Sequence, residues 1–264
     1  MIRRLLTTSA LTVMVAVSAC GRPAENLDQT GPAPTLPEQN ETLIPPMKIA
    51  KPTGWNGELP TVPAGFTITA LATDLKIPRQ MLVLPNGDIL VAEGSGGKAP
   101  KVRPKDVIAG VIKAGGKSSV KGGNRITLLR DANGDGTPEV RTTFIADLDA
   151  PYGLAFVDGN LYVANQDALL RFAYQEGQTQ ITTPGEVLTR LPSEINHHWT
   201  KSLTASADGT KLYVGIGSNS NVGERGMSVE EERAVVWEID RLTGARRTIA
   251  TGIRNPTALA IEPT

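Results

Sequence analysis

The 264 residues include two histidines, and they are adjacent: His197 and His198, in Glu194-Ile-Asn-His-His-Trp-Thr-Lys201. An imidazole titrates near neutrality, so one of the pair could take a proton from a hydroxyl. Leu191-Pro192 precede them and an alternating apolar run follows. Both therefore fall on a loop, which is where rigid scaffolds carry chemistry. An exposed structural pair remains the competing reading, and two histidines are too few for a His-based metal site. Arg254-Asn255, within Gly252-Ile-Arg-Asn-Pro256, offers a fixed cationic fork beside an amide, which suits a polyanionic or quinonoid ligand. A solvated turn before a strand would use the same residues. Asp131, Asn133 and Asp135 stand at alternate positions in Asp131-Ala-Asn-Gly-Asp-Gly136-Thr-Pro-Glu139. Alternate oxygen donors with Gly at the sixth position begin a calcium loop. The twelfth position is Thr142 rather than a bidentate Glu, so an Asx-rich turn without metal is equally open.

Short strands must hold these residues in place. Gln80–Glu93 reads as a hairpin turning at Asn86-Gly87, Gly153–Asn165 as a second turning at Asp158-Gly159, and Ser202–Gly215 as a third turning at Asp208-Gly209. Asn-Gly or Asp-Gly between alternating apolar residues is a strong hairpin signal. The three turn glycines are 72 and 50 residues apart, and setting aside the 31 residues Gly94–Asn124 brings the first spacing to 41. Each unit adds a third strand (Arg125–Arg130, Ala168–Tyr174, Ala234–Asp240) and a fourth (Val140–Ala146, Glu186–Arg190, Arg246–Thr251). Four short strands repeating every forty to fifty residues predict an all-β propeller rather than an irregular sandwich. Thr257–Pro263 repeats the opening strand of a unit, so about three and a half blades are expected, as part of a longer ring.

Composition narrows the function classes. Twenty-seven basic residues balance twenty-seven acidic ones, which excludes a nucleic-acid binder working through a basic surface. At 40% hydrophobic and 20% charged the chain can bury a core. Twenty-seven Gly and nineteen Pro agree with many turns. The lone Cys, Cys20, excludes an internal disulfide. It follows Arg3-Arg4, an apolar run Leu11–Val17 and the small residues Ser18-Ala19. This is a secretory signal too short to span a bilayer, and its end resembles a bacterial lipobox, with Cys20 as the acylated residue. Eight of the forty residues from Gly21 to Pro60 are Pro, the composition of an extended tether. The expected organisation is a lipoprotein signal peptide over 1–20, a tether over 21–60 and a partial propeller over 61–264. The expected location is the periplasm, lipid-anchored, with Gly21 leaning towards the outer membrane.

Taken in order, Pro78–Asp88, Ile126–Gly136, Tyr152-Gly-Leu-Ala155, His198-Trp-Thr-Lys-Ser-Leu203 and Gly252–Pro256 resemble the glucose/sorbosone dehydrogenases. The resemblance spans roughly 65–264. It implies a six-bladed β-propeller using pyrroloquinoline quinone, with calcium as a further candidate. It implies that His198 is the general base, and that Arg254 and Asn255 lie beside quinone and substrate. The acid that supports the base in relatives would fall near Ser218, which leaves that support in question. A Gln lining the glucose pocket would fall at Pro151, which argues against glucose itself. The remaining cofactor-gripping Lys and Arg, and the calcium ligands at the quinone, would lie beyond Thr264, so the 264 residues alone are expected to be inactive.

The activity so implied is oxidation of an aldose or a sorbosone-like sugar aldehyde, with hydride passing to the quinone and electrons to a downstream acceptor. Partners would be a small sugar, that acceptor and a membrane through the lipid, with no nucleic acid. A propeller lipoprotein that only binds or scaffolds is the alternative, since fold does not fix function. A lactonase-type metal hydrolase using Glu93 and Asn165 lacks a convincing third ligand.

Overall fold

A computed structural model describes residues 30–34, 53–97 and 122–262. Cys20, most of the tether and residues 98–121 of the Gly- and Lys-rich insertion lie outside the described residues. The chain divides into two compact units, Met1–Lys48 and Ile49–Thr264, and every described strand belongs to the second.

Twelve strands form three antiparallel four-stranded sheets, each a meander of consecutive strands. Sheet 1 is β1 (Pro78–Val83), β2 (Ile89–Glu93), β3 (Arg125–Arg130) and β4 (Val140–Ile145). Sheet 2 is β5 (Gly153–Val157), β6 (Asn160–Ala164), β7 (Ala168–Ala173) and β8 (Glu186–Arg190). Sheet 3 is β9 (Lys201–Ala205), β10 (Lys211–Ile216), β11 (Val235–Asp240) and β12 (Arg246–Thr251). The twelve strands expected before Thr257 are all present, within a residue or two at their ends. The three hairpins differ in kind. Asp158 and Gly159 both have positive φ (47° and 68°), and they alone separate β5 from β6, as a two-residue primed turn requires. Gly87 and Gly209 instead close longer loops, donating to Leu84 O and Ser206 O (both 2.9 Å). Thr257–Glu262 is not a strand. An isolated run of strand-forming residues has no ladder to join, and none of the described strands pairs with it.

Period-2 alternation gives sheet 2 two different faces. Leu154, Leu161, Val163 and Phe172 pack with Leu90, Ala92, Ile126, Leu128 and Phe144 of sheet 1. Ala155, Tyr162, Ala164 and Leu169 pack with Leu203, Leu212, Val214, Ile216 and Trp237 of sheet 3. Trp237 and Tyr162 are buried. The first strands come together on one side: Gln80 Nε2 on β1 donates to Leu154 O on β5 (3.0 Å) and to Leu203 O on β9 (3.3 Å). Three meanders stacked face to face, with their first strands converging, are arranged as the blades of a propeller are. At the flanks, the Arg241 to Asp158 ion pair (2.6 Å) ties sheet 3 to sheet 2, and the Arg130 to Asp88 pair (2.7 Å) ties β3 to the β1–β2 hairpin within sheet 1.

A meander of short strands sorts its connections onto two ends. The hairpins β1–β2, β5–β6 and β9–β10 share one end with the β3–β4 loop. The β2–β3, β4–β5, β6–β7, β8–β9 and β10–β11 connections, and the segment after β12, share the other. Contacts between these last connections are direct: Gly97 N donates to Gln166 Oε1 (3.2 Å) and Ser218 N to Arg254 O (2.7 Å).

Candidate active site

His198 lies on the β8–β9 loop, half-buried against the end of β10. Its backbone N donates to Ser218 O (3.1 Å). Its Nδ1 lies 2.9 Å from Ser218 O and 2.9 Å from Ser218 Oγ. Ser218 Oγ donates its own hydrogen to Ser220 O (2.6 Å), so it meets the imidazole as an acceptor, and the carbonyl can only accept. Both contacts therefore place a proton on Nδ1, and Nε2 carries the lone pair. Burial holds the His198 pKa below its ordinary value of 6.5, aided by the charges of His197, Arg254 and Arg233 and opposed by the Ser218 carbonyl. The ring is thus a neutral base at neutral pH. Ser218 supplies, through its carbonyl and hydroxyl, the support that the sequence left in question.

Gly217 makes this approach possible. A Cβ there would lie 2.5 Å from His198 Cβ, 2.6 Å from Asn255 Oδ1 and 3.0 Å from His198 O. Asn255 accepts from Thr200 Oγ1 through its Oδ1 (3.1 Å), which leaves its amide nitrogen as the donor. Arg254 is exposed, with Nε donating to Asn221 O (2.8 Å) and Nη2 to Asn221 Oδ1. The next residue is fixed as well, since Ser202 Oγ donates to Pro256 O (2.7 Å). His198, Arg254 and Asn255 are therefore gathered at one place. His197 stacks edge-on against His198 (4.8 Å between ring centroids) and faces Arg225 (Nη2 3.5 Å from its Nδ1). It is half-buried.

Several residues escaped the sequence reading. Arg79 lies over the Trp199 ring (5.0 Å), and Tyr152 meets the same ring edge-on (5.8 Å). Arg79, Gln80, Tyr152 and Leu203 line a cavity of about 460 Å³ between the first strands, together with Thr257–Leu259. Below the loop, Lys201 is fully buried, its Nζ donating to Asn196 Oδ1 (3.0 Å) and Trp199 O (3.1 Å). Burial, with Arg233 nearby, pushes its pKa well below 10.5. Burial also pulls Arg233 down to about 10. The Arg79 and Tyr152 contacts with Trp199 join parts of the chain far apart in sequence, so no local signal marks them.

The remaining candidates lie apart or are already engaged. Asp131, Asn133 and Asp135 occupy the β3–β4 loop, at the opposite end of the sheets from His198. Acidic oxygens of Asp131, Asp135 and Glu139 come within 4.8 Å of one another, whereas Asn133 donates to Asp135 Oδ2 (3.2 Å). Asp131 accepts from Gly134 N (2.8 Å), Asp135 N (3.2 Å) and Gly136 N (2.7 Å). These bonds are those of a self-satisfied Asx turn. Glu93 is fully buried and accepts from Lys76 N, Thr127 Oγ1 and Arg125 Nε (2.9 Å). Burial raises its pKa, but those bonds outweigh it and leave the carboxylate lowered. So engaged, Glu93 has no lone pair to spare for a lactonase metal.

A family model described as TrAA12-like matches residues 118–264. Among solved structures, the holo form of the pyranose dehydrogenase PQQ domain from Coprinopsis cinerea is 18% identical with a TM-score of 0.53, over 74% of this chain and 43% of that one. The calcium structure of a Trichoderma reesei family AA12 enzyme is 20% identical with a TM-score of 0.46, over 66% and 38%. The PQQ-bound aldose sugar dehydrogenase from Streptomyces coelicolor is 15% identical with a TM-score of 0.43, over 66% and 47%. No curated protein matches. At such identities the first of these likenesses is one of fold. The chain spans less than half the length of these structures.

Proposed function

The chain belongs to the TrAA12-like family, and from that premise we propose that it forms part of a pyrroloquinoline quinone-dependent oxidoreductase acting on an aldose or a sugar aldehyde. The observation that carries this reading is the fixed imidazole of His198. Nδ1–H is held on Ser218 O (2.9 Å), so Nε2 is left as the base, at the end of the sheets that also carries Arg254 and Asn255. The donor set there fits a polycarboxylate quinone. Among the described residues, Arg254 is exposed and bonded only to neutral oxygens of Asn221, Asn255 offers an amide N–H, and Arg79 adds a further cation bonded to Gly94 O (2.9 Å). Arg254 and Asn255 would hold the cofactor.

Pyrroloquinoline quinone, when bound, supplies the two-electron acceptor that the polypeptide lacks. The residues of this chain do the rest. His198 Nε2 accepts the proton of the substrate hydroxyl, or of an aldehyde hydrate, as the carbon is oxidised. Ser218 keeps the ring in the accepting tautomer and holds its orientation. Arg254 places positive charge where oxygen becomes negative, and its fork is already set by Asn221 so that little reorganisation is needed. A six-bladed ring, a calcium ion accompanying the quinone and a downstream electron acceptor belong to the same proposal. So does a periplasmic lipoprotein anchored at Cys20. The Asp131 loop, at the far end, takes no part in the chemistry.

Quinone-dependent dye reduction by the full-length protein tests the reading. His198→Ala should lower turnover by about two to four powers of ten, the usual cost of a lost general base, and leave quinone affinity close to wild type. His197→Ala should cost far less. Equal turnover in wild type and His198→Ala would remove His198 as the base, and no quinone-dependent turnover in the wild type would put the non-catalytic binding module in its place.

A further inference from the structure

Arg233 is 4% exposed and sits just before β11, on the connection that returns from Ser218. Its Nη1 donates to Pro192 O (2.6 Å) and to Asn196 Oδ1 (3.2 Å). Its Nη2 donates to Asn196 Oδ1 (3.2 Å) and to His198 O (3.0 Å). One planar fork therefore spans the β8–β9 loop from Pro192 to the imidazole-bearing residue. Each of these acceptors is neutral. Arginines on the flanks of the sheets behave otherwise: Arg125, Arg130, Arg171 and Arg241 each bond a carboxylate. Burying a guanidinium among carbonyls costs more than filling the same space with an apolar side chain. Its Nε is buried and has no hydrogen-bond partner among the described residues. Stability alone does not account for such a residue, but the loop does. Asn196 has a positive φ of 52°, a conformation that L side chains rarely adopt, and it holds Lys201 Nζ on the same Oδ1 that Arg233 grips.

We infer that Arg233 is a positioning residue for His198: its fork clamps the Pro192 and His198 carbonyls and the Asn196 side chain, and so keeps the imidazole seated on Ser218 in its Nδ1–H tautomer. The inference rests on the reading of His198 as base. The clamp acts through the backbone. Ser218 bonds both the His198 amide (3.1 Å) and its Nδ1, so the loop must be held from its other side to keep both bonds short. Arg233 holds that side at the next carbonyl. Without the clamp, the loop can drop the imidazole from Ser218, and a free imidazole favours the other tautomer.

The test reads the ring rather than turnover, so it can fail independently of the proposed reaction. In the full chain labelled with nitrogen-15, the two histidines are assigned with His197→Ala, and the imidazole nitrogen shifts give the tautomer of His198. In wild type, Nε2 should show the shift of an unprotonated nitrogen. In Arg233→Met, the Nε2–H form should appear, and the His198 amide should exchange roughly ten- to a hundredfold faster, the effect of losing a charge-assisted hydrogen bond. A folded Arg233→Met protein that keeps the Nδ1–H tautomer and the slow amide would overturn the inference. Should Met collapse the fold, Arg233→Lys decides. It keeps the charge but loses the fork, so it must show both changes in weaker form, and wild-type signals in it would equally refute the clamp.

Discussion

Replacing Gly217 with alanine adds a single methyl group at the tightest point of the site. The residue does not need a left-handed backbone, so the effect is steric alone. The new Cβ would stand 2.5 Å from His198 Cβ, 2.6 Å from Asn255 Oδ1 and 3.0 Å from His198 O. Carbon contacts relax at about 3.5 to 4.0 Å, so His198 and Asn255 must each give way by roughly 1 Å. Neither has slack, because His198 is held by Ser218 and Arg233 and Asn255 by Thr200. Overpacking of this kind costs about 1–3 kcal/mol. In a unit of this size each kcal/mol lowers the melting temperature by about 2–4 °C. A displacement of about 1 Å in a catalytic group costs on the order of a hundredfold in rate. Calorimetric or circular-dichroism melting measures the first effect, and quinone-dependent turnover of the full-length protein measures the second. Should Gly217→Ala melt as wild type does and leave the His198 ring signals in place, the close approach described here is wrong.

Lys201 makes stability depend on pH. Its folded pKa lies well below the unfolded 10.5, so below 10.5 the unfolded chain binds the proton more readily. Stability should therefore rise as pH increases from the folded pKa toward 10.5, and urea midpoints across that window should show a slope that Lys201→Met abolishes. An unchanged slope in the variant would remove Lys201 as its source. Trp237, 1% exposed between sheets 2 and 3, should cost about 3–5 kcal/mol when cut to alanine, and chemical denaturation reads this directly. A loss below 1 kcal/mol would mean that the sheets do not pack as described. Mass spectrometry of the mature amino terminus should find an acylated Cys20, and a lipid-free protein cleaved elsewhere would end the anchor proposal.

The strands were legible because period-2 alternation with Asx-Gly turns is a local signal, and sheets built from consecutive hairpins express local signals faithfully. Thr257–Glu262 carried the same alternation but lacked a neighbour, which alternation does not reveal. His198, Arg254 and Asn255 stand out in the sequence because their side-chain types suit the proposed chemistry. Ser218 does not, since a carboxylate is what would mark such support in a sequence, and one of the two bonds here is to a main-chain carbonyl, which any residue type would offer. Arg233 follows Glu230-Glu231-Glu232 and reads as one more charge in a solvated run. It is buried only because the chain returns beneath the loop that holds His198. The Arg79, Trp199 and Tyr152 cluster joins β1 to the β8–β9 and β4–β5 connections, so its proximity exists only in the assembled fold.

Gln80 has a bearing on how the molecule assembles. Each sheet consists of neighbours in sequence, so its ladders close short loops and can form early. Gln80 instead reaches Leu154 and Leu203 across 74 and 123 residues, so its bonds can close only after all three sheets have docked. The stack thus behaves as a short linear array in which each unit is steadied by those beside it. Sheet 2, covered on both faces by the other two, should hold its amide protons longest under native conditions. Loss of the Gln80 side chain should leave the protection within each sheet intact and let the first strands separate as units, a sub-global opening visible as a shared rate for β1 amides.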